Sequence, residues 1–158
     1  MFDTEEEIQN HLVLVTKMFT EAAPPPMVFC DFDGENVAFG CPFTGDDSKE
    51  MFAHLIRSMV RERKITGFCF VAESWTTRVP ESQKNLMPIY MAMPPSERPY
   101  TTEIILATFS NAKTEVVYMA DLAKDKDGNR KLGNWEKMPH TMEGRFSNLW
   151  QKGSGTNN

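Results

Sequence analysis

The chain is short of the residues that most simple functions need. It has three cysteines in 158 residues, Cys30, Cys41 and Cys69. An odd number cannot pair completely, and no CxxC spacing accompanies them. Neither a disulfide framework nor a cysteine metal site is indicated. They read as reduced, mostly buried thiols in a cytoplasmic setting. Histidine is as scarce: His11, His54 and His140 stand far apart, and no metal is expected. There is no glycine-rich phosphate loop and no Gly-x-Ser-x-Gly elbow, so no cofactor is expected. The basic excess of a nucleic-acid binder is missing too, because the net charge is −5. The most basic run, Arg57 to Lys64, reads as a solvated helix face. No apolar stretch approaches the ~20 residues that cross a bilayer. The first residues are acidic, where a signal peptide is basic. What these absences leave is one globular domain over residues 1–151, with a disordered polar tail over 152–158.

What is present is an alternation of helix and strand patterns. Thr4 with Glu7 three residues on reads as a capping box for a helix over Glu5–Glu21. Ile8, Leu12, Val15 and Phe19 form its apolar stripe, and Pro24-Pro25-Pro26 ends it. Met27–Phe32 and Asn36–Phe43 read as strands joined by Asp33-Gly34-Glu35, a hairpin signal. A second helix is predicted over Ser48–Arg63. Asp47 and Glu50 supply its capping box, and Phe52, Leu55, Ile56, Met59 and Val60 its packing face. The stretch Ile65–Trp75 organises the rest. Phe68 to Ala72 is apolar on both faces, which predicts a strand in the middle of a sheet. Glu73 interrupts it, and must reach water or a cation. A solvated Glu73, or one paired with a nearby Arg or Lys, is favoured over a cleft-rim role, since structural pairs imitate sites.

A connection from Thr76 to Pro99 follows, with Pro80, Pro88, Pro94, Pro95 and Pro99 and with Met87, Met91 and Met93. Connections this long are usually functional or mobile, and its apolar residues are expected either to dock over its own sheet or to form a partner-binding lid or subunit contact. Strands are predicted over Thr101–Phe109 and Thr114–Leu122, turning at Ser110-Asn111-Ala112. A polar turn over Lys124–Asn129 leads to a short strand near Lys131–Lys137. A terminal helix over Thr141–Gln151 would turn Phe146, Leu149 and Trp150 inward. The fold class is α+β, with a mainly antiparallel sheet of about five strands and helices packed on it. The order helix-strand-strand-helix-strand-strand-strand-helix resembles the roadblock/profilin-like arrangement. That likeness implies helices on one or both faces of the sheet and carries no function.

Three motifs point to chemistry. Val28-Phe29-Cys30-Asp31-Phe32-Asp33-Gly34 resembles the first motif of the haloacid dehalogenase superfamily. The resemblance implies a magnesium-dependent phosphatase, with Asp31 as nucleophile and Asp33 as general acid/base. This is the alternative function. Against it, Glu35 stands where Thr is usual, and Val37-Ala38-Phe39 follows at once as another strand. Gly45-Asp46-Asp47 comes too early for the late metal motif. A restriction-endonuclease-like nuclease would pair Asp31 or Asp33 with Glu-x-Lys, but Glu73-Ser74-Trp75 has Trp in the Lys position. Asp125-Lys126-Asp127-Gly128 suggests a calcium loop. In that register the first and twelfth positions are Ala123 and Asn134, where carboxylates belong, so a turn explains it better.

Phe70-Val71-Ala72-Glu73-Ser74-Trp75, Pro95-Ser96-Glu97-Arg98-Pro99 and a following strand with Glu103 are similar to features of small uncharacterised phage and prokaryotic proteins. The resemblance implies a phage origin and points to no known activity. The expected function is therefore a non-enzymatic binding or regulatory protein, such as a phage accessory factor acting in a host cytoplasm. Glu73 and Arg98 are expected to pair and pin the long connection, under cover of Trp75 and Tyr100. Met87 and Met91 between its ends would be displayed to a second copy, as a homodimer, or to another protein. Neither nucleic acid nor a membrane is an expected partner.

Overall fold

A computed structural model describes residues 1–41, 43–139 and 149–150. Its first element is α1 (Glu5–Glu21), followed by β1 (Met27–Phe32), β2 (Glu35–Gly40), α2 (Asp46–Arg61) and β3 (Gly67–Thr77). A short helix, α3 (Met87–Met91), lies between 3₁₀ turns at Glu81–Leu86 and Pro95–Glu97. Then come β4 (Thr101–Asn111), β5 (Glu115–Lys124), β6 (Arg130–Leu132) and β7 (Glu136–Lys137). The strands form one sheet in the order β2-β1-β3-β4-β5-β6, with β7 also on β5. Every pairing is antiparallel. The class is the α+β one expected. The sheet has seven strands rather than about five: the short strand expected near Lys131–Lys137 adds to five longer ones, and it divides in two where its register against β5 slips by one residue, between Leu122–Leu132 and Met119–Glu136.

Alternation along the strands builds two cores. Phe29, Cys69, Val71, Ile105, Ala107 and Phe109 point to one face and bury Leu12, Val15 and Phe19 of α1. Val28, Cys30 and Phe68 point to the other and bury Ala53, Ile56 and Val60 of α2. β3 thus sits between β1 and β4 with a helix over each face, which is why its sequence is apolar on both sides.

The local signals explain the boundaries. The Glu7 N–H donates to Thr4 Oγ1 at 3.1 Å, capping α1 as predicted. The Glu7 carboxylate answers one residue earlier than in a capping box, accepting from the Asp3 N–H at 3.0 Å. The expected box at Asp47 does not form. α2 begins two residues sooner, with Gly45 as its cap and no side-chain cap bond. Asp46 and Asp47 instead occupy the first turn, where the helix dipole favours acids. Asp33 (φ 53°) and Gly34 (φ 89°) are both left-handed, so β1 and β2 are joined by a two-residue turn of the kind that matches strand twist. The β4–β5 turn falls at Ala112-Lys113, because the Asn111 side-chain oxygen accepts from the N–H groups of Lys113 and Thr114. The predicted terminal helix, including Phe146, and the tail lie outside the described residues, apart from Leu149 and Trp150. No helix among the described residues is long and apolar enough to cross a membrane.

Candidate functional site

The connection after β3 is not a plain loop. Arg98 draws it together. Its Nε donates to the Tyr90 carbonyl at 3.0 Å and its Nη2 to the Met93 carbonyl at 2.8 Å. Its Nη1 reaches the Thr77 hydroxyl at 3.4 Å, at the end of β3. The Tyr90 hydroxyl donates to Gln83 at 2.8 Å, closing the first half of the segment. A planar guanidinium with several donors in a fixed fork suits this task. At the far end, the Arg78 N–H donates to the Tyr100 carbonyl at 2.9 Å. Tyr100 is left-handed (φ 59°), a conformation uncommon for a non-glycine residue.

What this scaffold holds outward is apolar. Ile89 is 59% exposed and Met91 52%, with Met93, Tyr100 and Trp75 also exposed. The Tyr90 and Tyr100 rings lie 6.0 Å apart. Met87 is half-buried rather than displayed. Trp75 lies opposite Glu103 on β4, whose carboxylate accepts from Lys124 at 2.9 Å.

The expected pair of Glu73 with Arg98 is not formed. Glu73 Oε2 accepts from Arg130 Nη2 at 2.8 Å, and the Arg130 side chain is only 9% exposed. Arg130 Nε also donates to the Phe19 carbonyl at 2.8 Å, in the last turn of α1. One guanidinium therefore satisfies a helix end and a strand carboxylate together. Glu73 meets Arg130 of β6 within the sheet, whereas Arg98 sits beyond it at Thr77, the last residue of β3, with its donors taken by the Tyr90 and Met93 carbonyls. The ion-pair reading of Glu73 stands, with a different partner. Nothing in the spacing of the sequence pointed to Arg130. The only hint was a cation just after a polar turn.

Asp31 and Asp33 do not converge. The Asp31 carboxylate accepts from the Thr66 N–H at 2.6 Å and the Gly67 N–H at 2.9 Å, and also from the Thr66 hydroxyl. Burial pushes its pKa up, but those three bonds and the terminal ammonium outweigh it, and the net shift is downward. It thus ties β1 to the start of β3. Asp33 is an exposed residue of the hairpin turn. This geometry lends the phosphatase reading no support. Asp125 likewise serves a turn: its carboxylate accepts from the N–H groups of Asp127 and Asn129, each at 2.9 Å. No group of three His, Cys, Asp or Glu able to hold a metal occurs among the described residues.

His11 and the three cysteines face the cores. His11 is ringed by Phe2, Phe29 and Phe109, with centroids at 5.1, 4.4 and 5.8 Å. Burial lowers its pKa to about 4, so the ring is neutral near pH 7. His54 is exposed on α2. All three cysteines are free and buried. Burial pushes the Cys30 and Cys41 thiols up to about 11, with Asp31 adding to the shift at Cys30. Such thiols are poor nucleophiles.

What the described residues define is a scaffold with a pinned, apolar connection rather than a catalytic constellation. No family model, curated protein or solved structure matches the chain.

Proposed function

We propose that the chain is a non-enzymatic binding or regulatory protein whose contact surface for a protein partner is the segment 81–100 together with Trp75. One observation supports this reading above others: exposed Trp75, Ile89, Met91, Met93 and Tyr100 accompany a backbone tied down by Arg98. Apolar side chains on a preorganised backbone lose less freedom on binding. Methionine adapts to irregular surfaces, and Trp and Tyr are common binding anchors. The likeness to small phage proteins supports an accessory role on a component of a host cytoplasm.

The test uses the tagged full chain in a lysate of its natural host. The reading expects a captured protein that the double variant Ile89→Glu, Met91→Glu loses while its melting temperature stays unchanged. Capture that survives the double variant contradicts the choice of surface. Turnover of an aryl phosphate with magnesium, abolished by Asp31→Asn, contradicts the non-enzymatic reading.

A further inference from the structure

One edge of the sheet carries a second surface, separated by β1 from the strand that leads into the pinned connection. β2 is an outermost strand. The Cys41 N–H donates to the Pro26 carbonyl at 2.7 Å, one register step beyond the Met27–Gly40 pair. Hydrogen-bonded pairs alternate along an antiparallel ladder. Residues 35, 37, 39 and 41 therefore turn their backbone groups to β1, and Asn36, Ala38 and Gly40 turn theirs outward. These three residues are exposed, and no other described residue bonds their backbone. Native proteins commonly blunt such an edge with Lys, Pro or a bulge. β2 has none of these.

Beside that edge, on the α2 face, lies an apolar hollow of ≈ 290 Å³ with Phe32, Val37, Phe39, Leu55 and Met59 in its walls. A second of ≈ 260 Å³ follows at Gly40 and Phe43, sharing Phe39 and Phe52 with the first. On the outer side of α2, Met51 is 73% exposed and Leu55 49%. α2 runs opposite to β2: Phe52 in its first half stacks near Phe39 and Phe43 at 5.8 Å, and Lys64, just past its end, accepts through its carbonyl from the Asp33 N–H at 2.8 Å.

We propose that this edge is the seat of a second copy of the chain, paired β2 to β2 about a two-fold axis through Ala38. Self-complementarity favours this occupant. With Ala38 opposite the partner's Ala38, Asn36 meets the partner's Gly40 and Gly40 the partner's Asn36, so every outward backbone group finds a match. Val37 then lies beside the partner's Phe39 over the hollows, where apolar side chains are wanted. The two α2 helices run antiparallel across the axis. Each begins with Asp46 and Asp47 and ends with Arg61, so the acidic start of one faces the basic end of the other. Like meets opposite at both ends, and Met51 and Leu55 fill the middle. The contact is isologous and closes at two copies, giving one sheet that runs through both.

Sedimentation equilibrium of the full chain tests this, with thermal melting as the check on folding. A concentration-dependent dimer is expected. Leu55→Glu, at an exposed position, should weaken it at least tenfold. So should Ala38→Pro, which removes an outward N–H but no β1–β2 bond. Asp47→Lys should weaken it, and adding Arg61→Glu should restore it. Ala38→Cys should yield an oxidised covalent dimer, since paired Cα atoms across such an axis lie about 5.5 Å apart. A chain that stays monomeric at all concentrations overturns the proposal. So does a dimer indifferent to Leu55→Glu and the charge exchange, or one lost only on Ile89→Glu, Met91→Glu, which would move the copy to the pinned connection.

Discussion

Two side chains show how much a single residue holds here. Glu73 breaks an apolar strand, and Arg130 is the reason it can. Removing one partner of a largely buried pair leaves the other charge unmatched. Glu73 is 28% exposed, so water offsets part of the loss. Glu73→Ala should cost roughly 2–4 kcal/mol in urea unfolding. Combining it with Arg130→Met should cost less than the sum of the two. Additive losses would mean that the two groups act independently. His11 gives the fold an acid sensitivity. Its pKa falls from 6.5 to about 4 on folding, so between those values the unfolded chain binds more protons. Stability then rises with pH through that window, is fully present above about 6.5, and is lost as pH falls toward 4. The shift corresponds to roughly 3 kcal/mol. His11→Leu should flatten the slope between pH 4 and 6.5, measured by unfolding at several pH values. Asp31, whose pKa is also lowered, leaves a residual loss of the same sign at lower pH.

The elements differ in how legible they were. α1, the β1–β2 hairpin and β3 were readable, because each carries a local signal that agrees with its burial: the Thr4 cap, the Asp33-Gly34 turn, the doubly apolar run at Phe68–Ala72. The start of α2 was misread because two acids in a row fit both a cap and a first turn, and only the backbone decides. The connection was legible as apolar and proline-broken, but not as a set of short helical turns. Arg98 was expected to pin the connection by pairing with Glu73; its acceptors are instead backbone carbonyls, which have no signature in sequence. The same holds for Arg130 and the Phe19 carbonyl, where the partners are 111 residues apart. Arg98→Ala tests the pin at the scale of the element. The global unfolding free energy should change by about 1 kcal/mol or less, since the bonds are only partly buried. Amide exchange and proteolysis within residues 81–100 should accelerate markedly. Unchanged exchange there would mean that Arg98 does not hold the connection.

At the scale of the molecule, the sheet is covered by α1 on one face and α2 on the other, and its elaborations sit at separate places, one after the central strand β3 and one along the edge strand β2. The pinned connection leads from β3 into β4, whereas the open edge belongs to β2. Of the carboxylates in the acidic motifs, that of Asp31 serves a strand junction and that of Asp125 a turn. The most direct test of the binding account is amide hydrogen exchange on the full chain, alone and with the protein it captures. The account predicts new protection concentrated in residues 87–93 and around Tyr100, with α1 unchanged. Protection elsewhere, with none in that segment, would contradict it.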